Sequence, residues 1–181
     1  MERNQQLRRQ LASMRQSLFD QGHLDEQFIL LEELQDDANP NFVEEVVTLH
    51  YRDSARLITT IERALEKSPL DFNKLDGYMH QFKGSSTSIG AQKVKAESTQ
   101  LENIARQEME KAQLHLLELM HSFQVKTLSK NNNNLICMNP SRCMKTFQLL
   151  KRDYATLRRK LEAYFQLARQ AGPNEIACRP K

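Results

Sequence analysis

The sequence predicts an all-α protein, namely an antiparallel four-helix bundle with two additional short helices at the N-terminus. Helix breakers are rare, because the 181 residues include only five glycines and five prolines. Apolar residues recur at spacings of three and four along most of the chain, which is the period of an amphipathic helix. The turn-forming clusters between these stretches are mostly short, as in bundles of antiparallel helices.

The N-terminal third predicts two short helices and one long helix. Their expected ranges are 3–19, about 25–35 and about 41–66. The third helix keeps its apolar side chains on one face over most of its length. His50 lies on that face, so we expect it to be a hydrogen-bonded core residue rather than a ligand.

A fourth helix is expected to begin behind Asp71, a typical N-cap residue. The stretch 84–90 then conflicts with helix formation, since its residues are poor helix formers and local rules alone predict a loop. Such conflicts are expected at functional sites. We therefore interpret the stretch as a continuation of the helix whose small residues allow close packing on a neighbour. These residues are Ser85, Ser86, Ser88 and Gly90.

The C-terminal half predicts two long helices, over about 92–122 and about 141–170, within one domain that spans 1–181. Between them, the lysine and four asparagines at 130–134 indicate an exposed loop over about 124–140. Residues 172–181 are expected to be frayed. The last helix has the clearest seam, with steps of three and four. Its members are Phe147, Leu150, Tyr154, Leu157, Leu161, Tyr164 and Ala168.

Several classes of function are disfavoured by composition. The net charge is only +3 and the basic residues are dispersed, which argues against nucleic-acid binding. No apolar run approaches the roughly 18 residues that a membrane span needs, and the polar N-terminus does not resemble a signal peptide. The three cysteines form no CxxC pair, and His115 and His121 are six residues apart, so no metal site is expected. A protein of the cytosol or nucleus is the expectation.

Chemistry concentrates in the segment that begins at His80. Residues three and four apart share a helical face, so His80, Lys83 and Gly84 should form one exposed patch. Neutral imidazole is a good nucleophile for a phosphoryl group without an activating base. A lysine beside it can offset the charge of the phosphoryl oxygens. A glycine removes a side chain, so that a partner can approach in line. An ordinary surface histidine remains the alternative reading of these residues alone.

The run HQFKGSS at 80–86, followed by SIGAQKVK at 88–95, resembles the plant histidine-containing phosphotransfer proteins of cytokinin signalling. The resemblance extends to 39–43 and resumes from Cys143 onward. It implies a multistep phosphorelay in which His80 carries the phosphoryl group and Lys83 supports it. Relatives with asparagine in place of the histidine cannot carry phosphate, whereas this chain keeps the histidine. The resemblance also implies a monomeric phosphocarrier of cytoplasm and nucleus, without kinase activity or a cofactor of its own.

The implied partners are the receiver domains of hybrid histidine kinases and of response regulators, which supply Mg²⁺. We expect them to dock on an exposed surface around the histidine, formed by the first helices and the fourth. The candidate contacts are Leu24, Phe28, Ile29, Tyr78, Gln81 and Ser85. Two departures from the family are an additional segment near 112–138 and the sequence of 101–106. The alternative function is a non-catalytic helical protein that binds receivers without carrying phosphate.

Overall fold

The computed structural model describes residues 2–67, 70–125 and 140–172. These residues form six helices and include no strand. The helices are α1 (Glu2–Asp20), α2 (Glu26–Glu33), α3 (Phe42–Leu65), α4 (Phe72–Ser88), α5 (Gln92–Val125) and α6 (Pro140–Ala171). All six predicted helices are confirmed, with small shifts at their ends.

The predicted loop over 124–140 lies mostly outside the described residues. At its edges, α5 continues through Val125 and α6 begins at Pro140, so the loop itself stays a prediction. The predicted fraying of 172–181 falls, apart from Gly172, outside the described residues as well.

Four helices form the bundle. Helix α4 packs against α3 and α5, while α6 packs against α5 and α3, so each member touches two neighbours. The connections between α3 and α4 and between α4 and α5 are short, which makes these neighbours antiparallel. The predicted bundle with two additional N-terminal helices is thereby confirmed. No described helix combines the length and apolar character needed to cross a membrane.

The seam of α6 forms much of the core. All seven of its predicted residues are at most 7% exposed. From the opposite helices, Phe82 of α4 and Leu101 of α5 are fully buried, and Ile61 of α3 is as well. Periodicity was sufficient to identify these positions, because a helix flanked by two others can hide only one stripe of side chains.

The two N-terminal helices attach to the outside of this bundle. Helix α1 packs on α6, and α2 packs on α4. A guanidinium–carboxylate pair joins the two short helices, since Arg15 Nη2 donates to Glu32 Oε2 at 2.6 Å and Arg15 Nε donates to Oε1 at 3.0 Å. The packing of α2 on α4 places α2 beside His80, which α4 carries.

Candidate functional site

Helix α4 carries the predicted site and is fixed at both ends. At its start, the side chain of Asp71 accepts a hydrogen bond from the backbone N–H of Lys74 at 3.1 Å, as predicted for an N-cap. At its end, Gly90 has a φ of +66°, and Ala91 N–H donates to the carbonyl of Ser86 at 2.9 Å. This Schellman closure stabilises a last turn made of poor helix formers.

Gly90 also permits a close approach of α2. A Cβ at this position would lie 2.6 Å from the backbone nitrogen of Phe28, which is closer than real contacts allow. The backbone N–H of Asp25 donates to the carbonyl of Gly90 at 2.9 Å. The expectation that Gly90 allows close packing is therefore confirmed, and so is the helical state of the stretch before it.

The outer face of α4 presents His80 to solvent. Its side chain is 73% exposed, whereas His23 and His50 are buried. Gly84 lies one turn after His80, and beyond the adjoining backbone of its own helix a Cβ there would meet no atom within 4 Å. The same is true of Gly77, which lies one turn before His80 on the same face and was not singled out in the sequence. The imidazole thus stands between two glycines on an open surface.

Lys83 lies on this face beside a buried carboxylate that the sequence analysis did not identify. Its Nζ donates to Oε2 of Glu102, on α5, at 2.5 Å, and the Glu102 side chain is only 4% exposed. Nδ1 of His80 lies 3.9 Å from Oε1 of the same carboxylate. Arg106 completes the group, because its Nη2 donates to Glu102 at 2.8 Å and its Nε donates to Asp76 of α4 at 2.9 Å.

The spacing of residues along α5 indicates that Glu102 faces the core. Ser98 and Ala105 are both buried, and Glu102 lies four residues after the first and three before the second. A charged residue at such a core-facing position is rarely buried unless it is paired. The sequence distinguishes the segment 101–106 only by its departure from the resembled family. The ion pairs that this segment forms with α4 depend on how the two helices align.

The inner face of α4 contains Ser85, which is half-buried. Its Oγ lies 2.9 Å from Nδ1 of His50, and Ser54 Oγ lies 3.3 Å from Nε2 of the same ring. The expectation that His50 is a hydrogen-bonded core residue is confirmed, since only 3% of it is exposed. Burial lowers the pKa of His50 to about 4, because the charged imidazolium would lose its hydration there. The hydrogen bond of Ser85 is directed into the protein.

Two predicted partner contacts are wrong. Leu24 is 2% exposed and Phe28 is fully buried, so neither can contribute to an exposed docking surface. Both lie in the core: Leu24 in the turn between α1 and α2, where its N–H donates to the carbonyl of Leu18, and Phe28 on the buried face of α2. Ser88, predicted to help packing, is exposed and donates a hydrogen bond to the carbonyl of Ser85 instead. Ile29 and Gln81 are exposed and Tyr78 is half-buried, so these positions remain available to a partner.

The described residues contain no group of three or more histidine, cysteine, aspartate and glutamate side chains suited to a metal ion. Cys143 is buried, and burial raises the pKa of its thiol. The chemistry of the described surface therefore centres on the imidazole, the ammonium and the carboxylate at the contact of α4 and α5.

Known proteins resemble this chain over most of its length. The Hpt domain model matches residues 45–129. Histidine-containing phosphotransfer protein 4 of Arabidopsis thaliana is 52% identical over 146 residues, which cover 81% of this chain and 91% of that protein. The chain belongs to the plant histidine-containing phosphotransfer proteins. Members of this family are phosphocarriers that interact with receiver domains in phosphorelays, and they are not autonomous kinases.

Other relatives of this phosphotransfer protein include solved structures. A histidine-containing phosphotransfer protein from maize superimposes with a TM-score of 0.71 at 33% identity, covering 91% of this chain and 98% of that one. Pseudo histidine-containing phosphotransfer protein 5 of Oryza sativa subsp. japonica is 46% identical over 174 residues, or 96% of this chain and 95% of that protein. Relatives thus bear both kinds of name.

Proposed function

We propose that this phosphotransfer protein accepts a phosphoryl group on His80 from the receiver domain of a hybrid histidine kinase. It then passes the group to the receiver aspartate of a response regulator, in two-component signalling of the cytokinin type. The observation that carries the proposal is the position of His80, on an open helical face between two glycines and beside an ammonium group. His50 on α3 is buried, and His115 on α5 is half-buried.

The transfer needs no base from this chain. The lone pair of Nε2 attacks phosphorus, the N–P bond forms, and the P–O bond to the receiver aspartate breaks, so that the aspartate leaves as a carboxylate. Nδ1 retains its proton through this step. A carboxylate oxygen of Glu102 lies 3.9 Å from Nδ1, which favours that tautomer and leaves Nε2 as the nucleophile. The receiver supplies Mg²⁺. The second transfer follows the same steps in reverse: the aspartate of the response regulator attacks phosphorus, the P–O bond forms and the N–P bond to His80 breaks.

Lys83 and the two glycines have separate tasks in this proposal. The ammonium of Lys83 offsets charge on the phosphoryl oxygens. Gly77 and Gly84 have no packing role within the described chain, yet each costs about 1 kcal/mol relative to alanine in a helix. Close approach of a partner explains their presence, since a flat surface on both sides of the imidazole lets the receiver reach it in line.

The docking surface is proposed to include the exposed apolar residues of α2 next to α4. Ile29 is 38% exposed, and its neighbour Leu30 is 50% exposed. Leu34, just beyond the helix, is 68% exposed. Ile29 is retained from the predicted contacts, Leu30 and Leu34 replace Leu24 and Phe28, and Tyr78 and Gln81 extend the surface on α4. Clustered exposed apolar side chains are typical of interaction sites.

A second candidate function is binding of receivers without carrying phosphate. The rice relative named as a pseudo phosphotransfer protein favours it, because that protein is 46% identical to this chain. The presence of His80 favours the carrier.

The decisive experiment is phosphotransfer from a labelled receiver domain with Mg²⁺. The parent chain should gain acid-labile, alkali-stable label, and His80→Gln should gain none while its helicity is unchanged. His115→Gln is the matched control, since it alters a histidine on a different part of the molecule and should retain the label. Persistent label on His80→Gln would refute the site. Binding without label on the parent chain would establish the second candidate.

We also propose that the protein acts as a monomer in both cytoplasm and nucleus. Its mass in solution should then be close to the 21.1 kDa of one chain. A stable dimer by light scattering would contradict the first part, and a tagged chain confined to one compartment would contradict the second.

A further inference from the structure

The buried carboxylate of Glu102 is the least expected charge near His80. It lies at a core-facing position of α5 and is 4% exposed, so it needs compensating partners. Two cations supply them, since Lys83 donates at 2.5 Å and Arg106 at 2.8 Å. Lys83 therefore already has an anionic partner before any phosphoryl group arrives.

Charges at this contact are balanced without phosphate. Lys83 and Arg106 contribute two positive charges, and Glu102 and Asp76 contribute two negative charges through the pairs described above. A phosphoryl group on the imidazole adds net negative charge whether or not the ring keeps its second proton. The phosphorylated site is thus anionic. The phosphoryl oxygens and the Glu102 carboxylate then both attract the ammonium of Lys83.

We propose that Glu102 is a positioning residue that competes with the phosphoryl group for Lys83 and thereby limits how strongly His80 retains phosphate. The proposal rests on the proposed function, since it concerns the stability of the phosphohistidine. It differs from a purely structural role, in which Glu102 would only join α4 to α5. Its consequence is directional, because a less stable phosphohistidine donates its group more readily to the next receiver.

The burial of Glu102 makes this competition effective. Exposed charges a few ångströms apart are screened by water and salt, whereas a buried carboxylate is screened much less. The Lys83 side chain is 30% exposed, so its ammonium can turn toward solvent and toward a phosphoryl group on the neighbouring imidazole. Moving it, however, weakens the pairing of the buried carboxylate, which retains Arg106 alone.

The test is the equilibrium of phosphoryl transfer between a phosphorylated receiver and the chain. Glu102→Gln keeps the size of the side chain and one acceptor oxygen but removes its charge. It should raise the ratio of phosphohistidine to aspartyl phosphate by at least about fivefold, which is the effect of one unit charge about 4 Å away under the screening of bulk water. An unchanged ratio, or a shift toward the receiver, would overturn the proposal.

The matched control is Glu108→Gln. Glu108 is also a buried glutamate of α5, 6% exposed and paired with a lysine, Lys111, at 2.8 Å. It lies six residues further along, about 9 Å from Glu102 along the helix axis. This variant should leave the equilibrium unchanged. An equal shift in both variants would indicate a general effect of buried charge and contradict a role through Lys83.

A double-mutant cycle tests the route through Lys83. Lys83→Gln should lower the phosphohistidine ratio more in the Glu102→Gln background than in the parent, because the ammonium is then free to serve the phosphoryl group alone. Equal losses in both backgrounds would contradict the competition. Absence of label on the parent would instead refute the proposed function, so the two failures are distinguishable.

Discussion

The two faces of α4 show how one helix separates function from stability. The outer face carries His80 between Gly77 and Gly84, and these glycines contact nothing that a larger side chain would displace. The inner face carries Phe82 and Met79, both fully buried in the bundle core. Changes on the outer face should therefore alter phosphotransfer with little effect on folding, while changes on the inner face should do the reverse.

The largest effect on stability is expected for Phe82→Ala on the inner face. Removing a fully buried phenyl ring loses its burial and leaves a cavity, which costs about 3–5 kcal/mol. Unfolding in urea should show this loss. Gln81→Ala, one residue away on the exposed side, is the control and should change the free energy of unfolding by at most about 0.5 kcal/mol. Similar losses in both variants would contradict the separation of the two faces.

Acid should lower the stability of the core beside the inner face of α4, where His50 of α3 lies against Ser85. Its pKa is near 6.5 in the unfolded chain and about 4 in the folded protein, so the unfolded state binds the proton more readily. The stabilisation from keeping this ring neutral is complete above pH 6.5. It is lost as the pH falls from 6.5 toward 4, by up to about 3 kcal/mol.

The free energy of unfolding, measured in urea across this pH range, checks the expectation. His50→Gln should flatten the fall between pH 6.5 and 4. Part of the slope should remain, because burial also lowers the pKa of His23, with Lys93 and Lys160 adding to the shift. A slope that His50→Gln leaves unaltered would assign the acid sensitivity elsewhere.

A smaller effect on stability than those of Phe82 and His50, and the sharpest test of the comparison, is expected for Gly84→Ala. A Cβ at this position has open space, so the helix should gain about 1 kcal/mol in stability. Transfer from a receiver should nevertheless slow, since the methyl group lies beside the imidazole where the partner approaches. Thermal unfolding and the initial rate of labelling measure the two quantities.

Gly77→Ala provides the companion measurement one turn before His80. The same gain in stability is expected, and the ratio of the two labelling rates would show from which side the receiver approaches. Normal transfer in both alanine variants would contradict a role for these glycines in access.

Much of the fold could be predicted because it depends on local pattern. The seam of α6 follows from steps of three and four, and the N-cap at Asp71 follows from residue type. The helical state of Ser85–Ser88 contradicts local propensity. It is held by burial of the inner face and by the closure at Gly90, so it could be inferred only from the motif.

The errors and omissions share a physical cause. Leu24 and Phe28 were expected on the surface because they belong to the first helices, which were expected to form the docking surface, but packing places both side chains in the core. Glu102 was missed because its partner Lys83 lies 19 residues away on another helix. The distance between such groups depends on the relative position of two helices, which no local pattern contains.

The sequence by itself determined the helices and the buried stripes, because each depends on residue type and spacing within one helix, and its resemblance to a known family singled out His80. Only the tertiary structure decided which charges surround that histidine. The alignment of α4 with α5 brings a buried carboxylate within 3.9 Å of the imidazole and 2.5 Å of the neighbouring ammonium. Electrostatic interactions depend steeply on such distances and on burial, and both arise only when the helices pack.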